Sequence, residues 1–357
     1  MSPRTDSNPA RSAAAQTRPQ AILRDLTDPG RSMYTDDLEA GLKEPLYENI
    51  IIPELFGPIA VHIDLAKARR FAFTQGLDSS TVSGLPDGGP APVTVPSTIV
   101  ANDLLQLFTT KYAASKVVGL HTEEELSFLR PVSLGQDVTL EGQYVETYER
   151  RGQGHVVMEA EARDLDGAVL VRHRGTEIMR TTPGLVAGRS TASPPRERRV
   201  TGEVDGAQPA VVTLGADAAT GMPLAPAVVT VSVEQAAVYS RIGEFVRNIH
   251  NSLDAARDAG LALPIVQGQQ LACHVAHLLA NRFGAGWYSG GWMRVRFLKP
   301  VTVLDEVTVA GVVHEVEPGS GGTRVNVDVW ISSSAGLHVV GWARCTVPAH
   351  RRSAFLA

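Results

Sequence analysis

The stretches Phe128-Leu129-Arg130-Pro131-Val132 and Phe297-Leu298-Lys299-Pro300-Val301 decide how this chain is organised. Each sets an apolar pair before a basic residue, a proline and a valine, and position 128 maps onto 297 with an offset of 169. The same offset carries Val138-Thr139 onto Val307-Thr308, Gly142 onto Gly311, Glu146 onto Glu315 and Gly167 onto Gly336, with no gap. One such match could arise by chance. A constant offset across both blocks marks a duplicated domain.

Both copies read alike outward from these stretches. In the second, Val307, Val309, Gly311 and Val313 alternate with other residues, a turn follows at Glu317-Pro318-Gly319-Ser320-Gly321-Gly322, and Val325, Val327 and Val329 alternate again. Ala335-Gly336 makes the next turn, before a third strand over 337–347. The first copy shows equivalent turns at Arg151-Gly152-Gln153-Gly154 and Asp166-Gly167. Period-two patterning joined by tight turns predicts an antiparallel sheet. Ahead of the strands lies a helix over 264–283, with Leu271, Val275, Leu278, Leu279 and Phe283 at helical spacing and Ala272, Ala276 and Ala280 on other faces. Its counterpart falls at about 97–113, with Ile99, Leu104, Leu105, Leu107 and Phe108. The expected architecture is α+β: two tandem units, each a long central helix wrapped by a curved antiparallel sheet.

The predicted organisation is a disordered tail over 1–32, an N-terminal unit over 33–180, a linker over 181–225 and a C-terminal unit over 226–350. The tail has no apolar core of the kind a secretory signal needs. The linker holds Pro194-Pro195 and the charged run Arg196-Glu197-Arg198-Arg199, read as a solvated loop. A net charge of −5 gives no basic excess to direct the chain to nucleic acid or an anionic membrane. No apolar run long enough for a transmembrane helix is present. Cys273 and Cys345 stand far apart in apolar sequence, which excludes a disulfide scaffold and suits a cytoplasmic location.

The chemistry-bearing residues concentrate between Tyr239 and Gln270. Glu244, Arg247, Asn248, His250, Asp254 and Arg257 crowd between two helical patterns, and Gln267-Gly268-Gln269 opens the long helix. A histidine titrates near neutrality, a carboxylate can orient it or share a water with it, and an asparagine can fix that water or a carbonyl. Gly268 can present a bare backbone N–H at the positive end of a helix dipole, the makeup of an oxyanion site.

On these residues the chain resembles the MaoC-like, R-specific enoyl-CoA hydratases and dehydratases (hydratase 2), in their double hot-dog form. Their motif is Gly-Asp-x-Asn-Pro-x-His-x-Asp followed by a helix preceded by His-Gly-Met. The matching residues are Gly243-Glu244, Asn248-Ile249-His250, Asp254-Ala255-Ala256-Arg257 and Pro264-Ile265-Val266-Gln267-Gly268. The resemblance covers about 230–348 well and about 50–180 as a worn copy. It implies an enzyme that adds water to an enoyl thioester, or removes it from a 3-hydroxyacyl thioester, on coenzyme A or a carrier protein. By the same resemblance His250 takes the histidine role and Gly268 the oxyanion role, with Glu244, Asn248 or Asp254 as partner. Phe245 stands where the family has its aspartate, five positions before His250, and Gln-Gly-Gln replaces His-Gly-Met. Gln267, Gln269, Arg247, Arg257, Arg294, Arg296 and Lys299 are the expected substrate-binding residues, the cations meeting coenzyme A phosphates. The first unit carries Phe71-Ala72-Phe73-Thr74-Gln75-Gly76-Leu77-Asp78 where the active loop should be, and no histidine before its helix.

No cofactor or metal is expected. His274 and His277 could bind metal but have no third ligand nearby in sequence. The glycines of 284–291 follow a helix and precede a strand, the wrong context for a dinucleotide loop. A Gly-x-Ser-x-Gly elbow is absent. The rival readings are a hot-dog thioesterase, a non-catalytic acyl-CoA-binding subunit, and an elimination on a specialised metabolite. A homodimer of fused pairs is expected.

Overall fold

The computed structural model describes residues 39, 41–77, 93–113, 116, 119–181, 185, 198–206, 208–240 and 248–356. The expected tail, most of the expected linker before 198, and Glu244 and Arg247 lie outside them.

The first half contains β1 (Glu54–His62), α1 (Leu65–Thr74), β2 (Thr94–Val95), α2 (Ala101–Leu105), β3 (Leu120–Phe128), β4 (Val132–Ser133), β5 (Asp137–Arg150), β6 (Gln153–Arg163) and β7 (Val169–Met179). The second contains β8 (Val211–Thr213), β9 (Ala227–Thr230), α3 (Val233–Tyr239), α4 (Leu253–Asp258), α5 (Gly268–Phe283), β10 (Trp292–Phe297), β11 (Glu306–Gly319), β12 (Gly322–Ser333), β13 (Gly336–Val347) and β14 (Ala354–Phe355).

Ten strands form one sheet in the order β1-β5-β6-β7-β3-β10-β13-β12-β11-β9. The order reads the same from either end, so each unit supplies five strands and the two meet where β3 pairs antiparallel with β10. The duplication extends to backbone irregularities. The β5–β6 ladder shifts register between Tyr144 and Glu146, and the β11–β12 ladder shifts between Val313 and Glu315, the positions that the offset of 169 relates. Gly142 and Gly311 share a steric requirement as well: a Cβ there would lie 2.9 Å from Glu159 O and 2.8 Å from Asp328 O respectively, and the offset relates both pairs.

The sheet is antiparallel because its strands turn back through short hairpins. Arg151 (φ 53°) and Gly152 (φ 75°) form the two-residue turn between β5 and β6, a conformation whose twist matches the flanking strands. On the inner face Val325, Val327, Val329 and Ile331 are buried, and the inner faces of both units merge into one hydrophobic core.

α5 runs through the C-terminal half of that core. Leu271, Val275, Leu278, Leu279 and Phe283 are buried as predicted, and Ala272 and Ala276 let neighbours approach closely. The N-terminal counterpart differs. Residues 97–110 are helical but broken into a 3-10 turn (Ser97–Val100), α2, and a second 3-10 stretch (Gln106–Thr110). Thr98, Ile99 and Val100 are β-branched, and the Thr109 and Thr110 hydroxyls donate back to Gln106 O and Leu107 O, both at 2.8 Å, which tightens the last turn.

The expected linker is another point of difference. Arg198 pairs with Asp328, Val200 packs with Trp330 and Val340, and Val211, Leu214 and Leu224 are core residues. The segment from 198 to 225 is therefore part of the C-terminal unit. Its small residues and polar spacing resemble a linker in composition, but isolated valines and leucines anchor it. Among the described residues no helix is long and apolar enough to cross a membrane.

Candidate active site

The turn that carries His250 is built from its own side chains. Asn248 Oδ1 accepts the His250 backbone N–H at 2.8 Å, an Asx turn, while Asn251 Oδ1 accepts the Asn248 N–H at 2.8 Å. Asn251 Nδ2 donates to Ser240 Oγ at 3.1 Å and ties the turn to the end of α3. The next residue, Ser252, caps α4 by accepting the Ala255 N–H. Asn248, expected to fix a water or a carbonyl, thus uses its side-chain oxygen to place His250.

The imidazole itself is held by the segment entering α5. His250 Nδ1 lies 2.8 Å from Ile265 O, and the Ile265 N–H donates to Ile249 O at 3.2 Å. A carbonyl oxygen only accepts, so Nδ1 carries the proton and Nε2 keeps its lone pair. Burial pushes the His250 pKa below the ordinary histidine value, and the Ile265 contact opposes this only in part. The ring is therefore neutral at neutral pH and presents a base.

Ile265 stands three residues before Gly268, so His250 and the start of α5 occupy one end of the helix. The Gln267 side chain makes no cap, and the N–H groups of Gln270 and Leu271 both turn back to Gln267 O. The N–H groups of Gly268 and Gln269 precede any intrahelical acceptor. A Cβ on Gly268 would lie 3.3 Å from Phe297 Cζ and 3.4 Å from His121 Nδ1, so a side chain at this position would press on both rings.

The three glutamines around Gly268 face the other unit. Gln267 Nε2 donates to Asn102 Oδ1 (3.0 Å), Gln269 Nε2 to Glu124 Oε1 (3.1 Å) and Gln270 Nε2 to Thr74 O (2.8 Å). Gln267 and Gln269 were expected to touch substrate; their amide donors instead fasten α5 to the N-terminal unit. Arg294 and Arg296 are also placed elsewhere. They alternate with the buried Met293 and Val295, so they lie on the opposite face of the sheet from α5, where both bind the Glu123 carboxylate. Lys299 Nζ donates to Ala335 O at 2.9 Å, and Arg257 is exposed on α4. Asp254, the second acid candidate, is exposed in the first turn of α4.

A charged cluster that the sequence reading missed stands against the same helix end. Glu124 of β3 points inward, with Leu126 and Phe128, and is fully buried. Its Oε2 lies 3.2 Å from His121 Nε2 and 2.9 Å from His173 Nε2 on β7. Burial alone would raise the Glu124 pKa, but the two histidines outweigh it and hold the carboxylate below its ordinary range. Burial likewise opposes charge on His121, but Glu124, with smaller contributions from Glu177 and the Glu123 backbone, keeps its pKa above the usual histidine value. Glu177, opposite His121 on β7, is raised by burial despite both histidines. The signal in the sequence was an acidic residue at an inward position of an alternating strand.

The His274 pKa is driven down to about 4 by burial and by neighbouring His277. Among the described residues no group of three or more His, Cys, Asp or Glu could hold a metal ion. A groove of about 620 Å³ on the N-terminal unit, lined by residues such as Glu141, Glu159, Arg172 and Arg174, contains neither His250 nor Gly268.

The fold has known counterparts. A MaoC-like dehydratase shares 18% identity over 87% of this chain and 99% of its own, with a TM-score of 0.63. The peroxisomal multifunctional enzyme type 2 of Drosophila melanogaster matches 82% of this chain and 48% of its own at 18% identity and TM-score 0.55. A conserved hypothetical protein of Mycobacterium tuberculosis, described as having a double hotdog fold, matches 87% of this chain and 99% of its own at 14% identity and TM-score 0.56. No protein-family model matches the chain, and no curated protein matches it significantly. The protein has the double hot-dog fold, and MaoC-like dehydratases are among its structural neighbours.

Proposed function

We propose that this protein is a MaoC-like hydro-lyase that adds water to an enoyl thioester, or removes it from a 3-hydroxyacyl thioester, on coenzyme A or a carrier protein. One observation carries the reading: Ile265 O fixes a neutral His250 with Nε2 as the available base, at the end of α5 where Gly268 has no side chain. In hydration, Nε2 takes a proton from water as the water oxygen bonds to the β-carbon. The displaced π electrons move to the thioester oxygen, which the Gly268 N–H and the α5 dipole stabilise. The His250 imidazolium, directly or through Glu244, then gives a proton to the α-carbon, the carbonyl reforms and Nε2 is again free to accept. The thioester acidifies that carbon, so the chemistry needs no cofactor. Glu244 is the residue we assign to share the proton traffic, and Arg247, Arg257 and Lys299 are the cations we assign to meet phosphates.

The test is the ultraviolet absorbance of crotonyl-CoA and longer or branched enoyl-CoAs, read beside thiol release. Loss of absorbance without free thiol supports hydration; thiol release would replace it with a thioesterase. With hydration, kcat/KM rises with pH through a midpoint below 6.5, the ordinary histidine value, because the neutral ring is the active form and burial favours it. A midpoint above that value would remove His250 as the base. Gly268→Ala lowers kcat/KM by about 10²-fold, since its methyl occupies the carbonyl's space and small displacements at reacting atoms cost about that much. Its unfolding temperature stays close to wild type, which thermal denaturation would check.

A further inference from the structure

His121 belongs to the N-terminal unit, which has no histidine between Phe71 and its own helix, yet its ring is aimed at the active end of α5. Nε2 meets Glu124 at 3.2 Å, and the side chain is only 9% exposed. The Phe297 ring packs against it with centroids 4.8 Å apart. Both ring nitrogens are buried and neither makes a hydrogen bond of good geometry among the described residues; Nε2 has the Glu124 carboxylate beside it, whereas Nδ1 faces the missing side chain of Gly268 at 3.4 Å. A buried polar atom without such a partner is costly, and natural folds rarely leave one unless something else satisfies it. Here the atom also faces the first residue of α5, whose N–H precedes any intrahelical acceptor.

We infer that His121 Nδ1–H is a second hydrogen-bond donor to the thioester oxygen, opposite the Gly268 N–H, so that the N-terminal unit completes the oxyanion site of the C-terminal unit. This rests on the hydro-lyase reading. The proton stays on His121 throughout: the ring donates a hydrogen bond to the oxygen as negative charge builds there, and no bond to it breaks. Glu124 is the positioning residue, because it holds Nε2 and leaves Nδ1 directed at Gly268. His173 shares the same carboxylate oxygen from the other side, and Gln269, adjacent to Gly268, holds its second oxygen. The glutamine thus links the helix end directly to the cluster. The groups facing His121 are Glu124 and Glu177, with His173 beyond Glu124.

Two substitutions separate the donor from the scaffold. In His121→Gln the side-chain amide reaches the Nε2 position and can still meet Glu124, but no donor remains at Nδ1. In His121→Asn the amide falls near Nδ1 and faces Gly268. Loss of one oxyanion donor costs about 10²–10³-fold in kcat. The expected result is a fall of that size in kcat for His121→Gln with KM little changed, and partial recovery for His121→Asn. The infrared carbonyl stretch of bound crotonyl-CoA is the second readout. It shifts to lower frequency in wild type and less so in His121→Gln. Equal shifts in the two proteins, or His121→Gln as active as wild type, would overturn the assignment. A shift lost in His121→Gln with no turnover in wild type would sink hydration and leave the donor standing.

Discussion

His250→Ala lowers the rate of enoyl-thioester hydration by about 10²–10⁴-fold, the span expected for a general acid–base group. The loss falls on kcat, because the imidazole acts on water and the α-proton and not on the bulk of the thioester. The fold survives: the side chain gives up one hydrogen bond to Ile265 O, worth about 1 kcal/mol, while the Asn248 and Asn251 contacts that form the turn use backbone groups. The acid limb of the pH–rate profile disappears in the variant, since the group that titrates is gone. Stopped-flow or steady-state absorbance measures both effects. Retention of more than about a tenth of wild-type kcat would place the base elsewhere.

The duplication was legible in the sequence to the level of individual residues. The offset that aligns Phe128 with Phe297 also aligns the two bulges, because a bulge is one extra residue in a strand and passes with the strand when the domain is duplicated. α5 was legible for a simpler reason: its apolar residues surround it, and little else suits a buried helix. The N-terminal helix was read too regular, since apolar spacing does not register the back-bonding of Thr109 and Thr110. Arg294 and Arg296 suit coenzyme A phosphates by charge alone, although the alternation with Met293 and Val295 already puts them on the far face. The cluster around Glu124 was harder. Its members lie on β3, β7 and α5, and no spacing along the chain brings His121, His173 and Gln269 together; only pairing of β3 with β7 and packing of α5 against β3 does.

That cluster sets the largest expected effect on stability. Glu124→Gln removes the one charge that two buried imidazoles share, and breaking a buried pair costs about 3–5 kcal/mol. The lower end applies, because a freed imidazole can shed its proton. The pH dependence has a definite sign. Glu124 is depressed in the fold, so its contribution is complete above the ordinary value of 4.5 and fades as pH falls through the lower folded value. His121 is raised, so its contribution is complete below 6.5 and fades as pH rises through the higher folded value. Wild type therefore exceeds Glu124→Gln most between pH 4.5 and 6.5, and the gap narrows on both sides. Urea unfolding across that range measures it. A gap independent of pH would mean that the pair is not ionised and that Glu124 and His121 share a neutral hydrogen bond, which still leaves a proton on Nδ1; a variant that is stable but slow would instead separate the placing of His121 from its contribution to the fold.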